Sequence, residues 1–172
     1  MLSVSVEEFR RDAVPAGTRR SERCEPGGSE LAEGLVEFWI RGRNAAGLPD
    51  RAHFDVMNLR PWLGYLSIYE SVGRHADFLN RLEGGKVVGL TGENWQGHLA
   101  SDVDGCFDGG FLADLREVAV WRHPKRSTCR VFQKPFQIAE RVLLPVTVEG
   151  TAVDQIFMAL FPRDREATGG RR

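Results

Sequence analysis

A chain of 172 residues accommodates one domain with short tails, and a fold of that size hides roughly 70% of its chain surface from water without needing a disulfide or metal staple. Hydrophobic residues at 42%, charged residues at 27% and a formal net charge of −1 exclude a low-complexity chain and a polyelectrolyte drawn to nucleic acid or anionic lipid. No apolar run nears the roughly 20 residues of a membrane span, no secretory leader opens the sequence, and Cys24, Cys106 and Cys129 are too scattered for a disulfide framework, which makes the cytoplasm the expected compartment.

Residues 1–28 read as an extension and linker. Ser5 and Glu8 have the spacing of a capping box for one short helix, and Pro15, Gly17, Pro26, Gly27 and Gly28 then interrupt the chain. The domain is expected over residues 29–163. Ser29 suits an N-cap, and Leu31, Leu35, Phe38 and Trp39 share one helical face before Gly42, Gly47 and Pro49 stop the helix. A loop through Arg51, Phe54 and Asp55 leads to a turn over residues 59–63. Two alternating runs, 65–72 and 76–82, joined through Gly73, Arg74 and His75, predict a hairpin; Phe78, Asn80 and Leu82 point one way, Leu79 and Arg81 the other.

Residues 86–90 make one or two helical turns, and the glycines and aspartates of 92–110 predict irregular loops bearing Trp95, His98 and Leu99. Phe111, Leu115 and Val118, with Leu112 and Ala119, predict a clearer helix. Strands are expected over 129–138, 141–148 and 153–161, followed by a polar tail, 164–172. This order lacks strand–helix alternation and predicts an α+β architecture, a five-stranded, mostly antiparallel sheet with helices packed on one face.

Three stretches resemble the PAS family, in particular a proteobacterial group of single-domain PAS-like regulators. The first is Phe38-Trp39-Ile40-Arg41-Gly42-Arg43 continuing to Gly47-Leu48-Pro49-Asp50-Arg51 and Phe54-Asp55. The second runs from Phe78-Leu79-Asn80-Arg81-Leu82 through Gly84 and Gly92 to Trp95-Gln96-Gly97, and the third is Arg141 to Val146 with Gly150, Val153 and Asp154. The likeness spans about residues 29–163 and implies a sensory or regulatory domain without catalysis. Two features depart from the family pattern: Gly85 stands where a small hydroxyl residue is usual, and Trp95 where a smaller residue is common. The implied strand order also sets the strand of 141–148 between two neighbours, which Pro145 opposes because it has no N–H to donate. A bulge or a skipped pairing is therefore expected there.

Other chemistries find little support. His53, His75, His98 and His123 are scattered, with no metal-ligand spacing. Asp102, Asp104 and Asp108 lack the glycine and closing glutamate of a calcium loop. The glycines between Gly84 and Gly92 match no phosphate cradle. No nucleophile elbow or cysteine–base pair occurs. The basic run from Arg122 to Arg130 reads as a solvated helix end.

The resemblance implies a small apolar interior between the curved sheet and the short helices. Its expected lining is Tyr69, Phe78, Trp95, His98 and Leu99, together with Phe111, Leu115, Val131, Leu144 and Met158; Tyr69, Trp95 and His98 supply polar handles. Trp39, Arg43, Arg51 and Asp55 are expected to clasp the first helix to the sheet, an arginine fork holding the carboxylate. No cofactor or metal is assigned. The expected partners are a small molecule and a signalling protein, with neither nucleic acid nor membrane; self-association through the amino-terminal helix, giving a homodimer, is a further implication of the resemblance. The alternative is a small enzyme or carrier with a cone-shaped α+β fold that binds an apolar small molecule.

Overall fold

The computed structural model describes residues 29–106, 109–131 and 138–163. The extension over 1–28, the tail over 164–172, Cys24 and Asp108 lie outside them. Ser29 caps the first helix, α1 (Glu30–Arg41), by accepting the Ala32 N–H on Oγ at 3.2 Å. Leu35, Phe38 and Trp39 are buried as their spacing requires, whereas Leu31 stays 38% exposed on the first turn. A single 3-10 turn, Arg60–Trp62, follows.

Five strands form one antiparallel sheet: β1 (Leu66–Val72), β2 (Asp77–Glu83), β3 (Lys125–Arg130), β4 (Ile138–Val146) and β5 (Gln155–Arg163). They lie in the order β2-β1-β5-β4-β3, so the chain's first and last strands are neighbours at the centre. Three helices connect β2 to β3: α2 (Gly85–Thr91), α3 (Ala100–Val103) and α4 (Phe111–Trp121). No helix among the described residues is long and apolar enough to cross a membrane. The fold is α+β with a five-stranded antiparallel sheet, as expected.

Alternation along β4 separates two helical layers. Glu140 faces α1 and accepts the Ser29 N–H at 3.0 Å, while its neighbour Arg141 faces α4 and bonds Asp114. The mid-chain helices therefore cover one face, and α1 covers the opposite one. Burial on both sides explains why eight consecutive residues, 139–146, are buried in a strand that shows no polar–apolar alternation.

Three expectations need correction. Residues 92–110 are not wholly irregular, because α3 and a 3-10 turn, Asp104–Cys106, form there. Asp102 accepts the Leu99 N–H at 3.2 Å, and Asp104 accepts the first N–H groups of α4, Phe111 and Leu112; these aspartates cap helices. β3 begins at Lys125, four residues before the expected strand, and Ile138 already belongs to β4, paired with Arg130. The basic run is thus split: Arg122 caps the end of α4, and Lys125–Arg130 form a strand rather than a helix end. Arg126 is matched across the sheet, its Nη2 2.5 Å from Glu140, and Lys125 is matched by α4, 2.8 Å from both Asp114 and Glu117.

Pro145 is accommodated by a skipped pairing. β3 starts opposite Leu143, so no strand lies beside Pro145 on that edge, while the register with β5 runs unbroken through Pro145 and Ile156. The exposed edge is filled otherwise: the Trp39 indole N–H donates to the Pro145 carbonyl at 2.7 Å. Two residues on, Thr147 receives the Arg51 N–H at 2.7 Å and donates to the Pro49 carbonyl at 3.0 Å. The segment after α1 thereby continues the sheet where β3 stops.

Candidate ligand-binding interior

The face of the sheet beneath α2, α3 and α4 carries Ser67, Tyr69, Met158 and Leu143, as the paired register requires. An irregularity in the β1–β2 ladder changes what β2 adds to it. Ile68 pairs with Leu82 and Tyr69 with Asn80, so Arg81 is an extra residue, a β-bulge. Asn80 and Glu83, three apart, would face opposite ways in a regular strand. The bulge turns both to the interior, and the Asn80 amide donates to Glu83 Oε2 at 2.5 Å. Leu82, expected to point inward with Asn80, is instead 44% exposed.

Burial pushes the Glu83 carboxyl up from the ordinary carboxylate range; hydrogen bonding from Asn80 and the nearby Ser67 hydroxyl opposes the shift without cancelling it. Ser67 is near enough to act on Glu83 yet makes no geometrically complete hydrogen bond. Asn80 is fully buried, and its Oδ1 has no hydrogen-bond partner among the described residues. The backbone beside it is satisfied: Asn80 donates to the His98 carbonyl at 2.9 Å and accepts from Gly97 at 2.8 Å. These bonds fasten the 95–98 turn along the outer edge of β2. Trp95, on that turn, packs against the core with its indole N–H buried and unpartnered.

Gly84 fixes where the next helix begins. A Cβ there would lie 2.3 Å from the Gly64 carbonyl oxygen and 2.6 Å from that of Leu66, so only glycine lets the chain pass so close to the start of β1. At the far end Thr91 Oγ1 donates to the Val87 carbonyl at 3.0 Å, and Gly92 closes α2 in the left-handed conformation.

The expected lining is partly brought together. Tyr69 and Phe111 meet edge to face with centroids 5.2 Å apart, and Phe78, Leu115 and Met158 are buried in the same core. Val131 is buried just beyond β3, and Leu99 is half-buried at the start of α3, bridged to Leu79 of β2. Two residues differ. Leu144 pairs with Phe157, whose ring lies 4.9 Å from Phe54, so it faces the α1 layer; its neighbour Leu143 takes the place beside Met158. His98 is exposed, its ring edge-on to Trp95 at 5.6 Å, and is not a handle inside the core.

The clasp is also rearranged. Trp39 ties α1 to β4 through Pro145, with Arg43 stacked 5.9 Å over its ring. Arg51 lies 5.2 Å over Phe157 and donates to the Phe54 carbonyl. Asp55 joins no arginine fork; it accepts the Asn58 N–H at 2.9 Å and shapes a local turn.

Ser67, Asn80 and Glu83 were not legible as site residues, since the bulge that assembles them leaves no mark in a period-2 pattern. The same is true of the network of Asp114, Glu117, Lys125 and Arg141, which locks α4 to β3 and β4. Among the described residues no group of histidine, cysteine and carboxylate side chains is placed to hold a metal ion. No family model matches the chain, and no curated protein or solved structure is detectably similar to it.

Proposed function

We propose that the chain is a non-catalytic regulatory domain of the PAS type that takes a small molecule into its interior and passes the effect to a partner protein in the cytoplasm. The observation that carries this reading is the presence of two buried, unpartnered polar atoms, Asn80 Oδ1 and Trp95 Nε1, beside the β2 edge of the core. Buried polar groups in native proteins nearly always find a partner, because leaving one unpaired costs about 1–3 kcal/mol. A donor that arrives from solution accounts for Asn80 Oδ1. The sheet order, with the fourth strand between two neighbours as the resemblance implies, supports the same reading.

A ligand bound here acts by favouring one conformational population. The elements it biases are α2 and the 92–98 segment, which reach β1 and β2 through few backbone bonds. Native mass spectrometry of the full-length chain tests the proposal. The expected result is a small-molecule adduct that is lost on denaturation. A native mass equal to the bare polypeptide, with no thermal shift across a broad small-molecule panel, overturns it.

A further inference from the structure

The carboxylates that α4 brings against the interior face are matched by cations: Asp114 meets Lys125 and Arg141, and Glu117 meets Lys125. Glu83 is not. Its partners are the neutral Asn80 amide and the nearby Ser67 hydroxyl. The cations flanking it in sequence turn elsewhere, Arg81 to Glu70 at 3.0 Å and Lys86 onto the Tyr65 ring at 4.2 Å. The result is a cluster of acceptors, the half-buried Glu83 with the buried Asn80 Oδ1 and Ser67 Oγ, in which Glu83 is paired with no cation among the described residues.

We infer that this cluster is the recognition site for a small primary ammonium compound, whose three N–H donors are shared among Glu83, Asn80 Oδ1 and Ser67 Oγ. The assignment rests on the reading that the interior takes a ligand, and adds the ligand's class. An ammonium group carries three donors and no acceptor, the complement of three acceptors around one carboxylate. An anion is repelled by Glu83. A neutral hydroxyl offers one donor and leaves two acceptors unmatched, and a quaternary ammonium offers none. The turn bearing Trp95, bonded to the Asn80 backbone, sets an aromatic side chain at the same end of the core, against which an apolar body packs.

The test uses the full-length chain with n-butylamine and n-butanol as matched probes, on the order of 10 mM for ligands this small. NMR follows the Trp95 indole N–H and the Asn80 side-chain amide. The amine is expected to shift both signals saturably, with the alcohol weaker by roughly tenfold or more, and Glu83→Gln to weaken the amine by roughly tenfold or more while leaving the alcohol unchanged. Ser67→Ala, a smaller perturbation, is expected to weaken the amine a few-fold. Equal response to both probes, amine binding that survives Glu83→Gln, or no saturable response of wild type overturns the inference. A native-mass adduct that is not an amine leaves the ligand-binding reading standing and removes the ammonium assignment. Absence of both adduct and probe binding removes both.

Discussion

Trp39 does two things that no smaller ring can combine. It fills a fully buried site in the α1 layer, and its indole N–H occupies the Pro145 carbonyl where β3 has ended. Trp39→Phe keeps most of the apolar bulk but leaves that carbonyl buried and unpaired, so a loss of about 2 kcal/mol is expected in urea unfolding. A loss below a few tenths would mean that the edge is satisfied by other means. That Trp39 joins helix to sheet was readable from its place among core residues of an amphipathic helix. Its partner was not, because a backbone carbonyl becomes available only once the register of a strand 106 residues away is fixed. Gly84 gives a second prediction at this scale. Gly84→Ala drives a methyl into two backbone oxygens that cannot rotate aside, and the expected cost is about 1–3 kcal/mol by the same measurement.

Among the elements, those with a clean period were read correctly and those governed by pairing were not. β1, α1 and α4 follow their apolar spacing. β3 does not, because Lys125, Arg126, Ser127 and Thr128 form a strand only when Asp114 and Glu117 on α4 and Glu140 on β4 stand ready beside it. β2 was read with a regular alternation that ended at Leu82; the bulge at Arg81 carries the alternation one residue further and delivers Glu83 inward. α4 owes its position to charge as well as to its apolar stripe. Asp114 meets both Lys125 and Arg141, and Arg141 also lies 5.2 Å over the Phe111 ring. Asp114→Asn removes the negative charge shared by two largely buried cations, and a loss of about 3 kcal/mol is expected. Glu117→Gln leaves Lys125 with Asp114 and should cost less than about 1 kcal/mol. Similar losses in the two variants, read from thermal or urea unfolding, would show that α4 is held by its apolar face alone.

Across the whole molecule, two carboxyls write opposite signs into the dependence of stability on pH. Burial pushes Glu140 up, but the hydrogen bonds from Arg126 and the Ser29 backbone, with the Arg126 charge, outweigh it and hold the group below the ordinary range. A lowered folded-state value means that Glu140 stabilises the fold above the ordinary carboxylate pKa of about 4.3, and that this contribution is lost as pH falls through the lowered value. Glu83 runs the other way. Desolvation raises it, so the folded chain holds the Glu83 proton more tightly than the unfolded chain does. Its contribution is fully present below the ordinary pKa and is lost as pH rises through the raised one, so above the ordinary range the desolvated group is a burden on the fold. Glu83→Gln removes that burden while keeping the shape of the side chain and a hydrogen-bond acceptor for Asn80. The variant is therefore expected to unfold at a higher temperature than wild type near about pH 7, and the gap to close toward about pH 4, where both side chains are neutral. A gap that stays constant across that range would place Glu83 in ordinary solvent. The ammonium assignment adds a condition to the same experiment. A bound cation restores the partner that the buried carboxylate lacks, so n-butylamine should stabilise wild type near neutrality and leave Glu83→Gln where it was, narrowing the gap from the wild-type side. A site kept at a cost to the empty fold, and relieved by its ligand, is what a sensor requires, since the ligand can shift a conformational balance only by the difference in its affinity for the two states.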